Sequence, residues 1–263
     1  MRSVWLMYHD VDCGRPARDA PPSATAYHVS HDVFLAHLDE VSASGLEVVT
    51  ASEGLALSSG DSIVLTFDDG WLGAFETAVP LLLERGLRGT FYVTRDFVGR
   101  KGFCSEATLA DAAHAGMEIG VHGTTHRMLS GCSRVELLRE LRSCKEYLES
   151  VVLTKVTAAS VPGGDWTRTI AECAREAGLT SLSTSRPGVN GARTSPFRLR
   201  RIPIRAATSS SDVARYCRFD ARRELARWLA LEAPRRVLGM QRYTHVRRRL
   251  LGDRRSDESL FDP

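Results

Sequence analysis

The sequence has no Cys-x-x-Cys pair and no zinc-type cysteine spacing; Cys13, Cys104, Cys132, Cys144, Cys173 and Cys217 stand far apart. It also lacks an apolar secretory segment at its start, so free thiols in a reducing cytoplasm are the expectation. No apolar run is long enough to span a bilayer, and no internal repeat is visible. A formal net charge of +3 is too small to imply a nucleic-acid partner. Lysine is scarce, at positions 101, 145 and 155 only, so arginine carries most of the positive charge. That charge gathers over residues 215–255, as in Arg222-Arg223, Arg235-Arg236 and Arg247-Arg248-Arg249. Interleaved Leu225, Trp228, Leu229, Val237 and Leu250 suggest amphipathic helices, either packed with Arg outward or in peripheral contact with an anionic membrane surface.

What is present is a chain of 263 residues, 43% hydrophobic, ample for one large core. Short apolar runs alternate with helical periodicity. Strands are predicted at 3–9, 46–50, 63–67, 89–94, 118–122, 156–161 and 179–184, with an eighth at 198–204. Helices are predicted at 31–44, 73–86, 106–115, 133–150 and 167–177. Ser30, Ser105 and Ser133 are expected N-caps, while Gly45, Gly86, Gly116 and Gly178 are expected helix stops. Pro80 implies a kink or a helix start inside the second helix. Alternation of this kind gives parallel strands with helical crossovers. The fold class is therefore α/β: a single distorted (β/α)7-type barrel over residues 1–205, with a basic helical extension over 206–263. Barrel sites lie at the C-terminal ends of strands.

Two strand ends carry chemistry. Leu65-Thr66-Phe67-Asp68-Asp69-Gly70 places two carboxylates side by side after a buried strand. Like charges that close resist ionising together unless a cation or donors compensate. Taken alone, the string also suits an Asp-Asp-Gly turn. His122-Gly123-Thr124-Thr125-His126 follows a second strand, and its histidines could reach one ion, or could be two surface residues. The two elements together fit one metal site: an Asp and two His as ligands with open positions, and the other Asp left as a free base.

Thr66-Phe67-Asp68-Asp69-Gly70 resembles the first signature of the polysaccharide deacetylases (carbohydrate esterase family 4, NodB-type domain), and His122–His126 is similar to the second. The resemblance implies Asp68 as catalytic base and Asp69, His122 and His126 as ligands of a divalent metal, zinc first, with Co2+, Ni2+ or Fe2+ as alternatives. It also implies that the Gly163 N–H faces an oxyanion beside Pro162. Departures are plain. Gly123 stands where Ser or Thr is usual. In Ser160-Val161-Pro162-Gly163-Gly164, Ser160 replaces an arginine. The aspartate that steadies that arginine has no counterpart; Thr184-Ser185-Arg186-Pro187-Gly188 falls about there, with Arg186 as a replacement cation or a turn residue. No C-terminal Leu-x-His supplies the general acid, and His245 lies among arginines. Val4-Trp5-Leu6-Met7-Tyr8-His9 resembles the circularly permuted branch, which includes exopolysaccharide deacetylases, and this makes His9 the acid. Asp10 and Asp12 either orient it or end the strand.

Loops at 12–27 and 185–196 could line a sugar groove, and 206–212 reads as a Ser-rich loop. Tyr27, Trp71 and Trp166 are candidate stacking platforms for sugar rings, or core or rim aromatics. The implied activity is N-acetyl removal from amino sugars of a polysaccharide or a lipid- or nucleotide-linked precursor. A deformylase or other amidase on this scaffold, or a non-catalytic saccharide-binding relic, remains open.

Overall fold

The computed structural model describes residues 1–14 and 25–230. Eleven short strands occur among them: β1 (Arg2–Tyr8), β2 (Asp10–Val11), β3 (His28–Val29), β4 (Glu47–Val49), β5 (Ser62–Phe67), β6 (Thr90–Val93), β7 (Glu118–Val121), β8 (Ala158–Ser160), β9 (Ser181–Ser183), β10 (Val189–Gly191) and β11 (Ile202–Pro203). The helices are α1 (His31–Ala43), α2 (Ala51–Ala56), α3 (Val79–Glu84), α4 (Glu106–His114), α5 (Arg134–Val152), α6 (Arg168–Glu176) and α7 (Ser210–Cys217). Ser30, Ser105 and Ser133 each cap a helix by accepting a backbone N–H two or three residues on. Pro80 sits in the first turn of α3, after a π-turn over Ala74–Ala78; both halves of the expected kink-or-start are present.

The main sheet runs β10-β1-β5-β6-β7-β8-β9, with β4 beside the first half of β5 and β11 beside β1. All these pairings are parallel except β1 with β10. That antiparallel strand corrects the all-parallel expectation and lies in a stretch read as loop; its single buried residue, Asn190, left no apolar pattern to find. A parallel bridge from Ser183 to Leu199 carries β9 round to the segment that becomes β11, which pairs with β1. The sheet is thereby curled into the expected (β/α)7-type barrel, with its first and last parallel strands as neighbours.

Side-chain alternation along each strand fixes what faces where. On β5, Ile63, Leu65 and Phe67 join the large core beneath the helices, whereas Val64 points inward with Trp5, Val49, Tyr92, Ala158 and Leu199. This inner apolar layer closes the barrel floor. Gly120 makes room for it, since a Cβ there would lie 2.5 Å from the Tyr92 ring. Two residues further along the same strands come Thr66, Ser160 and Arg201, then Asp68: the lumen turns polar towards the C-terminal ends.

Helix α7 packs on α1 through Val213, Tyr216 and Cys217, which belong to the same core cluster. Its start lies in the Ser-rich stretch read as a loop: Ser209 accepts the Asp212 N–H, and the Asp212 carboxylate accepts from Ser209 in return. Residues 222–230 are helical. His245 and the arginines at 235–236 and 247–249 lie outside the described residues, as does most of the 12–27 loop. No helix among the described residues is long and apolar enough to cross a membrane.

Candidate metal centre and its carboxylate neighbour

Strand β5 ends at Phe67, and Asp68 continues its ladder through Asp68 N–H to the Tyr8 carbonyl at 3.0 Å. Alternation would send the next residue out toward the helices. Asp69 instead takes φ 75, and Gly70 φ 94, so the chain turns and both carboxylates stay on the luminal side. His126 has φ 62. Only four non-glycine residues have positive φ among those described, and two of them are in this cluster. Backbone held in a costly region by its surroundings is a mark of functional sites.

Asp69 Oδ1 lies 3.2 Å from His122 Nε2 and 3.1 Å from His126 Nε2. Oδ1 is a buried oxygen without a hydrogen-bond partner among the described residues, with the two imidazole nitrogens as its charged neighbours. Nitrogen and oxygen ligands at about 2.0–2.2 Å from one ion sit about 3–3.4 Å from one another. Two imidazole nitrogens and one carboxylate oxygen, all within 4.8 Å of one another, therefore fit a divalent cation. Burial would raise the Asp69 pKa; the His126 charge and contacts from both imidazoles hold it well below the usual carboxylate range. Burial likewise opposes protonation of His126, and the Asp69 charge reverses it, raising that pKa.

Outer contacts fix the three donors. Trp71 donates its indole N–H to Asp69 Oδ2 at 3.0 Å. Ser160 Oγ is hydrogen-bonded to His122 Nδ1 and lies 3.5 Å from Asp68 Oδ1. With Nδ1–H donating to Ser160, His122 Nε2 keeps its lone pair for a ligand. Glu140, a buried carboxylate on α5, accepts the N–H groups of Thr124 and Thr125 at 2.8 and 3.0 Å and the Thr125 hydroxyl at 2.8 Å. That carboxylate shapes the loop between the histidines. Gly123 belongs to the same turn: at φ 82 a Ser or Thr would be strained, which is the physical content of that departure.

Asp68 has a different partner. Arg201, fully buried, grips it bidentately: Nη1 to Oδ1 at 2.6 Å and Nη2 to Oδ2 at 2.7 Å. The Arg201 Nε–H donates to the Thr184 carbonyl at 3.1 Å, and its guanidinium carbon lies 5.3 Å from the Tyr92 ring centroid. The expected replacement cation, Arg186, is not on Asp68; its guanidinium lies over Trp228, 5.4 Å from the ring centroid. The arginine on Asp68 comes from just before β11 and not from β8, where Ser160 stands, and its Nε–H is held by the Thr184 main-chain carbonyl. Burial pushes the Asp68 pKa up, but the Arg201 charge, then that of His122, brings it below the usual value.

His9, at the end of β1, is half-buried and lies against Tyr27, with ring centroids 4.5 Å apart and planes tilted by 37°. Its Nδ1 is buried without a hydrogen-bond partner among the described residues. Burial lowers its pKa, while the charges of Asp69 and Asp68 oppose that shift. Asp10 does not orient His9; it accepts from or pairs with His28 Nδ1 at 2.9 Å.

The remaining residues sort by burial. Gly163 has φ 66, and a Cβ there would lie 2.6 Å from Met128 Sδ, so only glycine fits. Pro162 is buried beside it. Trp71 is 8% exposed with one face on Phe103, which removes it as a sugar platform and makes it a positioning residue for Asp69. Trp166 donates to the Phe197 carbonyl at 2.6 Å and lies under Arg198. Tyr27 covers His9. Replacing Trp71 by Phe is expected to weaken metal affinity about 10–100-fold while far-UV circular dichroism stays native, because an aromatic ring remains against Phe103 and the N–H on Asp69 is lost.

Residues 58–182 match the family model described as polysaccharide deacetylase. YxkH of Bacillus subtilis (strain 168), provisionally named a polysaccharide deacetylase, is 23% identical over 217 residues, covering 80% of this chain and 74% of that protein. Two solved structures are similar. The Streptococcus pyogenes deacetylase PplD in complex with acetate has a TM-score of 0.72 and 21% identity, covering 81% of this chain and 96% of its own. IcaB from Ammonifex degensii has a TM-score of 0.70 and 26% identity, covering 82% and 96%.

Proposed function

We propose that this chain, a member of the polysaccharide deacetylase family, removes N-acetyl groups from amino sugars of a polysaccharide or glycan precursor by metal-assisted hydrolysis. One observation carries the reading. Two adjacent carboxylates are held by unlike partners, Asp69 by a pair of imidazoles and Asp68 by a buried guanidinium. One is equipped to hold a cation and the other to stay ionised beside it.

The chemistry that a divalent cation, zinc first, supplies at Asp69, His122 and His126 is Lewis acidity toward a carbonyl oxygen and activation of water at neutral pH. Asp68, oriented by both guanidinium donors, accepts the proton of the attacking water. The Gly163 N–H faces the oxygen of the acetamide carbonyl, where negative charge develops. His9 donates a proton to the departing amine. Its burial disfavours the imidazolium, and the Asp69 and Asp68 charges favour it, a balance suited to a group that must hold and then release a proton. Tyr27 fixes the ring plane. Six free thiols support a cytoplasmic setting and hence a precursor saccharide, lipid- or nucleotide-linked, in place of an extracellular polymer. The basic C-terminus is proposed as the part that touches an anionic membrane surface.

The test is product release from N-acetylated and N-formylated amino-sugar oligomers by metal-loaded protein. Acetate release supports the proposal; formate release alone indicates a deformylase, and no release a saccharide-binding relic. His9→Ala is expected to lower kcat by about 10²–10⁴-fold with metal content unchanged. A rate near wild type would remove His9 from the mechanism.

A further inference from the structure

The segment that leads into Arg201 folds a second concavity. Between β9 and β11 lies a cleft of about 480 Å3 lined by Arg186, Arg193, Thr194, Ser195, Arg198 and Arg200, with two small residues completing it. Among the described residues, no carboxylate lines it. None of the four arginines enters an ion pair among the described residues, whereas Arg2, Arg134, Arg142 and Arg215 each have carboxylate partners.

Two of these guanidiniums rest on aromatic rings, and Arg200 Nη1 donates to the Val189 carbonyl at 3.4 Å, while Arg193 is exposed. The guanidinium of Arg198 lies 4.4 Å from the Trp166 ring centroid, and that of Arg186 lies 5.4 Å from the Trp228 centroid. The Arg200 stem runs across Gly188, where a Cβ would come within 2.7 Å of its Cδ. Asn190 locks the Arg200 backbone from both sides, accepting its N–H and donating to its carbonyl, each at 2.9 Å. Thr194 Oγ1 accepts the Gly191 N–H and Ser195 Oγ the Phe197 N–H, which leaves both hydroxyl protons to donate.

Four like charges around one cleft repel unless an anion compensates them. Guanidinium forks match phosphoryl oxygens two at a time. We infer that this cleft binds a ligand carrying a diphosphate, its two phosphoryl groups shared among the four arginines. The site is separate from Asp68 but shares a wall with it, since the Arg186 carbonyl accepts the Arg201 N–H at 3.1 Å.

Calorimetric titration of the full chain with pyrophosphate, and with inorganic phosphate, at low ionic strength tests this. Pyrophosphate is expected to bind saturably at one site and more tightly than phosphate. Arg193→Gln and Arg198→Gln should each weaken it roughly tenfold or more, and Arg198→Lys, which keeps the charge but loses the fork, by less than Arg198→Gln. Arg139→Gln, at an exposed arginine on α5, should leave it unchanged. Absence of saturable pyrophosphate binding overturns the inference, as does equal weakening by Arg139→Gln. So does retention on phosphatidylglycerol vesicles that depends on Arg198 without pyrophosphate binding, which would make the cleft a membrane contact. The readout is binding and not turnover, so Asp68→Asn should retain it. A failed deacetylase assay and a failed titration therefore remain distinguishable.

Discussion

Asp68→Asn is expected to lower kcat/KM by about 10²–10⁴-fold while the protein still takes up its metal. The amide keeps the shape and one acceptor for Arg201, but it cannot take a proton from water. Asp69, one residue on, cannot substitute, because its Oδ1 faces the two Nε2 atoms and its Oδ2 is held by Trp71. Parallel measurement of turnover and bound metal separates the two roles. A variant that loses metal along with activity would mean that Asp68 is itself a ligand.

Arg201→Ala carries the largest expected effect on folding. Both Asp68 oxygens would lose their donors inside the barrel, leaving a buried charge uncompensated, at a cost of about 3–5 kcal/mol. For a chain of this size that is a fall in Tm of roughly 10 °C. The pH dependence follows from the direction of the Asp68 shift. A carboxyl whose folded pKa is depressed contributes stability that is present above its unfolded pKa and lost as pH falls through the folded one. Without the guanidinium, burial dominates and the Asp68 pKa rises, so the acid limb of kcat/KM moves to higher pH. Arg201→Lys, with a single point charge, should restore part of the stability and little of the orientation. An unshifted acid limb in Arg201→Ala would show that the ion pair does not set the ionisation of Asp68.

Much of this arrangement was legible in the sequence because it is local. The strand ending at Asp68, the turn at Asp69-Gly70 and the His122–His126 spacing are each written within a few residues. Capping serines and stop glycines placed most helices. Arg201 was missed because its partner lies 133 residues away in sequence, and nothing near it resembles a signature. A signal did exist: Leu199 fills the barrel floor, so alternation puts Arg201 in the lumen two residues on, and a luminal arginine demands a carboxylate. For Trp71 the sequence left a sugar platform beside a core or rim aromatic, and only packing shows it buried with its N–H committed to Asp69. Strand β10 is held by pairing to β1 and by the Asn190 side chain, neither of which leaves an apolar period. The β-to-αL switch at Asp69 was equally hidden, because a non-glycine residue gives no sign that its surroundings will hold it at positive φ.

Asp69, His122 and His126 are expected to bind one cation without Asp68. Titrating metal-stripped wild type, Asp69→Ala and Asp68→Asn with Zn2+ tests it most directly. Wild type and Asp68→Asn are expected to take up one tight equivalent, and Asp69→Ala none. Tight binding that survives Asp69→Ala but disappears in Asp68→Asn would contradict it.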